Sequence, residues 1–304
     1  MDKNDSAIKV PHSFEDRAID HRSRCPHFRI LVIGRANAGK TTLLKKVCNS
    51  IDNPQILSPT GKTLDITIVE GSAERGRHNI ERQLVFKSNP RFIFHDSRGF
   101  ESGSVDETEK VKAFIAKRAG SNTLSGQLHA IWYCLPADTN RPLLETEKNF
   151  FNTDITGNVP VIAIFTKFDG LITKAFSGLI DDGYTRKEAL TIRRWKAQEM
   201  LTTNFIEPLM STQFAPSDHV RLDDMRKETS SCHELIERTA NALTDDTLRL
   251  LFVSVQQNHI DLCIRYALQG GLKNKNIVEM VRSALAFFPH VWVITFRMAL
   301  LLYC

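Results

Sequence analysis

The chain has no pair of cysteines at metal-ligand spacing. Its six cysteines, Cys25, Cys48, Cys134, Cys232, Cys263 and Cys304, are scattered without a CxxC. That pattern argues against a zinc site or a disulfide framework and reads as reduced thiols of a cytoplasmic protein. The first 27 residues lack the apolar core of a signal peptide. There is no internal repeat and no low-complexity tract. No long basic run with interleaved aromatics occurs, and the net charge is only +5, so nucleic acid is not an expected partner. With 42% hydrophobic and 25% charged residues in 304, what remains is an ordinary globular chain with room for one large domain and an appendage.

Residues 1–27 read as a polar arm. From Phe28 onward, apolar bursts at 28–33, 91–94, 128–135, 159–165 and, more weakly, 219–222 alternate with helical patterns. These fall at 40–48, 106–118, 143–151, 185–210 and 231–243. Short buried strands separated by helices predict an α/β fold, a doubly wound and mostly parallel sheet covered on both faces. The domain so defined runs over 28–244. A helical extension at 245–304 follows, with one amphipathic helix expected over 246–269 and an increasingly apolar tail.

The first apolar burst runs into Gly34-Arg35-Ala36-Asn37-Ala38-Gly39-Lys40-Thr41-Thr42. This fits G-x-x-x-x-G-K-[ST] between a strand and a helix, the context in which the motif cradles phosphate. Small residues let the backbone curl so that its N–H groups point at phosphate oxygens, and the helix N-terminus adds positive partial charge. Lys40 then reaches the β- and γ-phosphates, and the Thr41 hydroxyl is a Mg²⁺ ligand.

Two further elements follow in order. RFIFHDSRG at 91–99 is an apolar strand ending in Asp96, with Gly99 three positions on. That arrangement suits water-mediated Mg²⁺ binding by Asp96 and a γ-phosphate contact by the Gly99 N–H. VPVIAIFTKFD at 159–169 is another strand, running into Thr166-Lys167-Phe168-Asp169. Together, the three motifs resemble the translation-factor-related (TRAFAC-type) class of P-loop GTPases, over roughly 28–244. The phrase LVFKSNPRFIFHDSRGFE at 84–101 also resembles a group of fungal G domain-containing proteins. The resemblance implies a G domain that binds GTP and GDP, with Asp169 reading guanine N1 and N2 and the Lys167 stem packing on the base. Adenine leaves the Asp169 carboxylate unpaired, a penalty of about 1–3 kcal/mol. Thr166 stands where Asn is commoner, which loosens the expected tie to the phosphate loop. DHVRLDDMRKETSSCHELIERTANAL at 218–243 resembles the last strand, base-binding loop and last helix. There Leu222, Asp223, Asp224 and Met225 lie over the base edge, acting mainly by backbone N–H; LLFVSVQQ at 250–257 is the rival strand.

The resemblance leaves hydrolysis without an obvious agent. Phe100 follows Gly99, where small GTPases carry a glutamine that orients water. Glu101 is a weak substitute. Counting back roughly two dozen residues from Asp96 for the Mg²⁺-linked hydroxyl lands near Ser72, with Thr67 next, in a polar stretch at 55–82. That stretch is either a switch or an ordinary connection. The phrase GRANAGKTTL resembles loops of GTPases that bind K⁺ at the phosphates, so Asn37 is a candidate K⁺ ligand or merely a loop-closing side chain. Arg35 and Arg98 are either fingers in cis or solvated. Help from an activator or effector protein, or from a nucleotide-dependent homodimer, is the remaining route.

Asp138-Thr139-Asn140-Arg141 follows a strand end, where ligand loops gather, and is either pocket lining or a plain turn. His95 reads as a satisfied strand-end histidine. The tail, 277–304, has two readings: a helix packed on protein, or membrane contact by a cytoplasmic protein peripheral to or anchored in the bilayer. Pro289, His290 and Arg297 interrupt it.

Overall fold

A computed structural model describes residues 25–64, 79–97, 105–256 and 260–271. Residues 27–243 form one compact unit. Its sheet has seven strands: β1 (Phe28–Gly34), β2 (Gln55–Leu57), β3 (Gln83–Phe86), β4 (Asn89–Asp96), β5 (Ala130–Pro136), β6 (Val161–Thr166) and β7 (Asp218–Arg221). They lie in the order β2-β3-β4-β1-β5-β6-β7. The run from β4 to β7 is parallel, and β2 and β3 add an antiparallel edge. Every residue of β5 and β6 is buried, which is why those strands read as unbroken apolar runs rather than alternations.

The helices are α1 (Lys40–Val47), α2 (Val105–Ala119), α3 (Glu145–Phe151), α4 (Phe168–Asp181), α5 (Arg186–Leu201), α6 (Glu207–Met210) and α7 (His233–Ala242). On one face of the sheet, Leu31, Ile33, Tyr133 and Phe165 pack with residues of α2 to α5 such as Phe114, Phe150, Phe168 and Ala197. Tyr133 lies 5.0 Å, ring to ring, from both Phe150 and Phe151. The alternate residues carry a second aromatic row, with Trp132 5.9 Å from Phe94 and Phe94 5.4 Å from Phe92. Trp132 Nε1 donates to Thr239 Oγ1 at 3.1 Å, which satisfies the buried indole and fixes α7 against β5.

Several boundaries differ from the sequence expectation. Helix α4 had no place in it, because the reading stopped at the TKFD motif. Phe168, Leu171, Ala175 and Leu179 nevertheless recur at helical spacing and are buried. The β3–β4 hairpin was hidden in a stretch read as connection and motif; Phe86 pairs with Asn89 across a two-residue turn. The single helix expected over 185–210 is broken by a π-helical turn at Thr202–Ile206. Pro208 explains the break, since it has no N–H to continue the ladder and its ring crowds the carbonyl four residues back. Helix α5 begins as its sequence suggests, with Thr185 and Glu188 forming a capping box.

The other unit contains residues 25 and 26 and the described residues from 244 onward. The helix expected over 246–269 is two: α8 (Asp246–Ser254), capped by Asp245, and α9 (Ile260–Gly271). Gln256 Nε2 donates to the Phe252 carbonyl at the end of α8. The rival strand at 250–257 therefore falls largely within α8. Among the described residues no helix is long and apolar enough to cross a membrane. The tail at 277–304 lies outside the described residues, as do residues 1–24 of the polar arm.

His129, just before β5, accepts a bond from the Arg29 N–H at Nδ1, 2.9 Å away, and its Nε2 donates to Leu124 O at 2.9 Å. Burial, reinforced by Arg29, lowers its pKa from 6.5 to about 4, against an upward pull from the Leu124 bond. Below pH 6.5 the unfolded chain takes a proton that the folded chain refuses. Stability therefore falls as pH drops from 6.5 towards 4, by about 1.4 kcal/mol per unit for this one group. Urea titrations across that range are expected to show a shallower loss for His129→Asn than for the wild type.

Candidate functional site

β1 ends beside β5 with Gly34 opposite Cys134. A Cβ on Gly34 would sit 2.3 Å from the Cys134 carbonyl oxygen, so no side chain fits there. The following loop curls through two left-handed residues, Asn37 at φ 57° and Gly39 at φ 80°. Ala38 N donates to Arg35 O. Helix α1 then starts at Lys40 with no side chain capping its first turn and no acid within it. Its leading N–H groups thus face the mouth of the loop, an arrangement suited to an anion. Lys40 Nζ folds across the loop, 3.0 Å from both Gly34 O and Arg35 O. Thr41 and Thr42 are exposed at the helix start.

Arg35 is neither solvated nor free to act as a finger. It is 8% exposed and its fork grips Glu147, which is fully buried, with Nε–Oε1 at 2.8 Å and Nη2–Oε2 at 2.7 Å. Its remaining donors reach Arg141 O, Pro142 O and Thr139 Oγ1. Glu147 Oε2 also accepts the Leu144 N–H. Losing one partner of such a buried pair strands the other, at a typical penalty of about 3–5 kcal/mol.

Asp96 ends β4 close to Lys40. Burial lifts its carboxyl from 3.8 to about 6, and Lys40 offsets part of that rise. Its Oδ1 is buried with no partner among the described residues. A desolvated carboxylate oxygen without a donor suits a hard cation, and the Thr41 hydroxyl belongs to the same chemistry. No group of three or more His, Cys, Asp or Glu placed to hold a metal ion occurs among the described residues. The neighbouring His95 is satisfied: Nδ1 meets Ile80 O at 3.0 Å, Nε2 meets Arg29 Nη1 at 3.3 Å, and burial brings its pKa down to about 4.

At the end of β6, Thr166 Oγ1 donates to Ala38 O at 2.8 Å. Thr in place of Asn thus keeps a direct bond to the phosphate loop rather than loosening it. Lys167 turns the chain at φ 58°, starting α4, and places Asp169 in its first turn. Phe168 is buried under Arg221, whose guanidinium carbon lies 4.3 Å from the ring centroid. A cavity of about 250 Å³ joins these pieces, with Gly39 and Thr42 on one wall, Thr166, Lys167 and Asp169 on another, and Asp223, Asp224 and Met225 on a third. A larger cleft, about 620 Å³, shares Asp169, Asp223, Asp224 and Met225 with it but is lined by no residue of the phosphate loop.

The loop after β7 is held firmly. Lys46 of α1 donates to Lys227 O at 2.7 Å and Glu228 O at 3.0 Å. Asp223 pairs with Arg194 and Arg221, and Asp224 with Arg226. The Leu222 N–H goes to Phe165 O, so Leu222 is not available to a ligand edge as expected. Of the predicted residues, Gly34, Asn37, Ala38, Gly39, Asp96, Thr166, Lys167 and Asp223 lie at the ends of parallel strands or in the loops they feed, and Lys40, Thr41, Thr42 and Asp169 in the first turns of the helices that follow. Thr67, Ser72, Arg98, Gly99, Phe100 and Glu101 lie outside the described residues. Sequence reasoning missed Lys46 and Glu147, and left Asp138 open as pocket lining or plain turn. Of these only Asp138, which follows an apolar run as Asp96 does, carried a usable signal.

Residues 29–167, slightly less than half of the chain, match the model of a family described as 50S ribosome-binding GTPase. Shikimate kinases of Burkholderia thailandensis and Burkholderia pseudomallei are also similar, at 28% identity over 132 residues, 41% of this chain and 70% of theirs. The family match supports a P-loop GTPase of the translation-factor-related type. The sheet and the phosphate loop at its switch point are those of an α/β P-loop NTPase G domain.

Proposed function

We propose that the chain binds Mg²⁺-GTP and hydrolyses it slowly to GDP and phosphate. The observation that carries this reading is the Thr166–Ala38 bond, which brings the TKFD loop against the phosphate loop so that Asp169, Gly39 and Thr42 share one cavity. In this reading the 34–42 backbone and Lys40 hold the phosphates and offset their charge. Thr41 and Asp96 hold Mg²⁺, directly and through water, and Gly99 contacts the γ-phosphate. Asp169 accepts from guanine, Lys167 lies along the base, and Asp223 borders its edge. Mg²⁺ supplies charge neutralisation at the β- and γ-oxygens. The phrase at 84–101 supports kinship with the fungal G domain-containing proteins.

A second reading is a GTP-dependent switch or scaffold with negligible turnover of its own, which a partner or a second copy activates. Phe100, which cannot orient water, favours it. The clamping of Arg35 removes one internal source of positive charge. K⁺ is the other source we infer, because Asn37 is exposed in a left-handed turn of the phosphate loop. Membrane contact through 277–304 is a variant of either reading, tested by flotation with liposomes with and without that segment. An ATP-using phosphotransferase, the reading closest to the kinase similarity, leaves Asp169 without a role.

Calorimetric titration with Mg²⁺-GTP and Mg²⁺-ATP should show a clear preference for GTP, on the order of tenfold or more. Asp169→Asn is expected to abolish that preference; equal binding of the two nucleotides by the wild type would discard the guanine reading. Steady-state phosphate release in K⁺ should exceed that in Na⁺ at equal ionic strength. Equal rates in the two salts would leave Asn37 a loop-closing residue only, and rates at background in both would establish the switch reading.

A further inference from the structure

We propose that Asp138 is a positioning residue for the nucleoside end of the site, held in place by the Arg35–Glu147 clamp. The inference rests on the GTP reading above and deepens it. Asp138 stands just past β5, and its Oδ2 lies 3.3 Å from Lys167 Nζ. It lines the same cavity as Asp169 and Thr166. Its side chain also occupies the space beside α4: a Cβ on Gly170 would come within 2.5 Å of the Asp138 Cβ. Two residues on, Asn140 Oδ1 accepts a bond from Lys174 Nζ of α4 at 2.7 Å. One edge of the 137–144 segment therefore leans on the start of α4, the helix that carries Asp169.

The other edge is anchored to the phosphate loop. Arg35 grips Glu147, Arg141 O and Pro142 O, and Ala137 N donates to Thr166 O at 2.8 Å. The segment is thus a brace between the phosphate loop and the base-reading loop. Lys167 is the residue that needs it. It sits at φ 58°, where a side chain is disfavoured, and its long stem has several rotamers open to it. The Asp138 carboxylate fixes the far end of that stem and so presets the surface on which a base lies.

The pair itself is half exposed, with side chains at 40% and 36%. Such a pair adds little to folding, so its loss is felt by the ligand rather than by the fold. The test uses the full chain. Dissociation of fluorescently labelled GDP from the wild type, in Mg²⁺, sets the reference. For Asp138→Ala the dissociation rate is expected to rise about tenfold, while the melting temperature of the free protein moves by about 1 °C or less. Lys167→Met should give a similar rise, and the double variant no more than either alone, because both remove one interaction. Gly170→Ala, which pushes Asp138 aside, should also speed release. Competition by inorganic tripolyphosphate, which has no base, should be the same for Asp138→Ala and wild type. An unchanged GDP dissociation rate, additive effects of the two substitutions, or an equal loss of tripolyphosphate binding would overturn the positioning role while leaving the GTP reading standing. A wild type that holds no guanine nucleotide overturns both.

Discussion

The site depends on how closely β1 and β5 approach at their carboxyl ends. There Gly34 lies against the Cys134 carbonyl, with no room for a Cβ. β1 has β4 on one side and β5 on the other, so the chain reverses its winding at this point and the loops diverge. A crevice opens where they part. The phosphate loop fills its floor, and Asp96, Asp138 and Thr166, each at or just past a strand end, form its rim. A larger residue at Gly34 would push the strands apart and move every one of these side chains.

Charge is arranged around that crevice with two different degrees of solvation. Asp96 is desolvated enough to lift its carboxyl to about 6, with only Lys40 to ease the penalty. Asp138 and Lys167 keep substantial contact with water. Asp96 is thus the desolvated carboxylate of the crevice, and the Asp138–Lys167 pair the solvated one. Arg35 and Glu147 differ from both. Their bidentate pair is buried, and its worth is geometric: it fixes the phosphate-loop side of a segment whose other side is held by Lys167 and Lys174.

The loop after β7 shows the same economy of support. It has no side-chain signature of its own, yet it is tied to α1 through Lys46, to α5 through Arg194 and to itself through Arg226. Helix α1 and the loop after β7 are therefore directly joined. Phe168, at the start of α4, is buried and covered by the Arg221 guanidinium. Met225 and Cys232, 3.7 Å apart sulfur to sulfur, close the same loop from behind.

Much of this was legible in the residues. Gly34, Gly39, Lys40 and Thr41 carry a local requirement, a tight curl into a helix N-terminus, and local requirements leave marks at fixed spacing. The buried strands were legible because a two-sided parallel sheet demands continuous apolar runs. Helix α4 and the β3 arm of the β3–β4 hairpin were not legible, the first because no polar cap announces it after Lys167, the second because β3 is only four residues long and the turn into β4 has no glycine. Asp138 stood at a readable place, but its role depends on Lys167, far away in sequence and near only after β5 and β6 pair.

The sequence by itself determined the sheet-and-helix alternation, the phosphate loop and the order of the motifs at the strand ends, because each follows from neighbours within a few residues. Only the tertiary structure decided that Arg35 is a strut rather than a finger, that Thr166 holds the phosphate loop, and that Asp138 meets Lys167. Those outcomes join residues 29 to 128 positions apart, and no local pattern of polarity specifies which distant carboxylate or carbonyl a given donor will find.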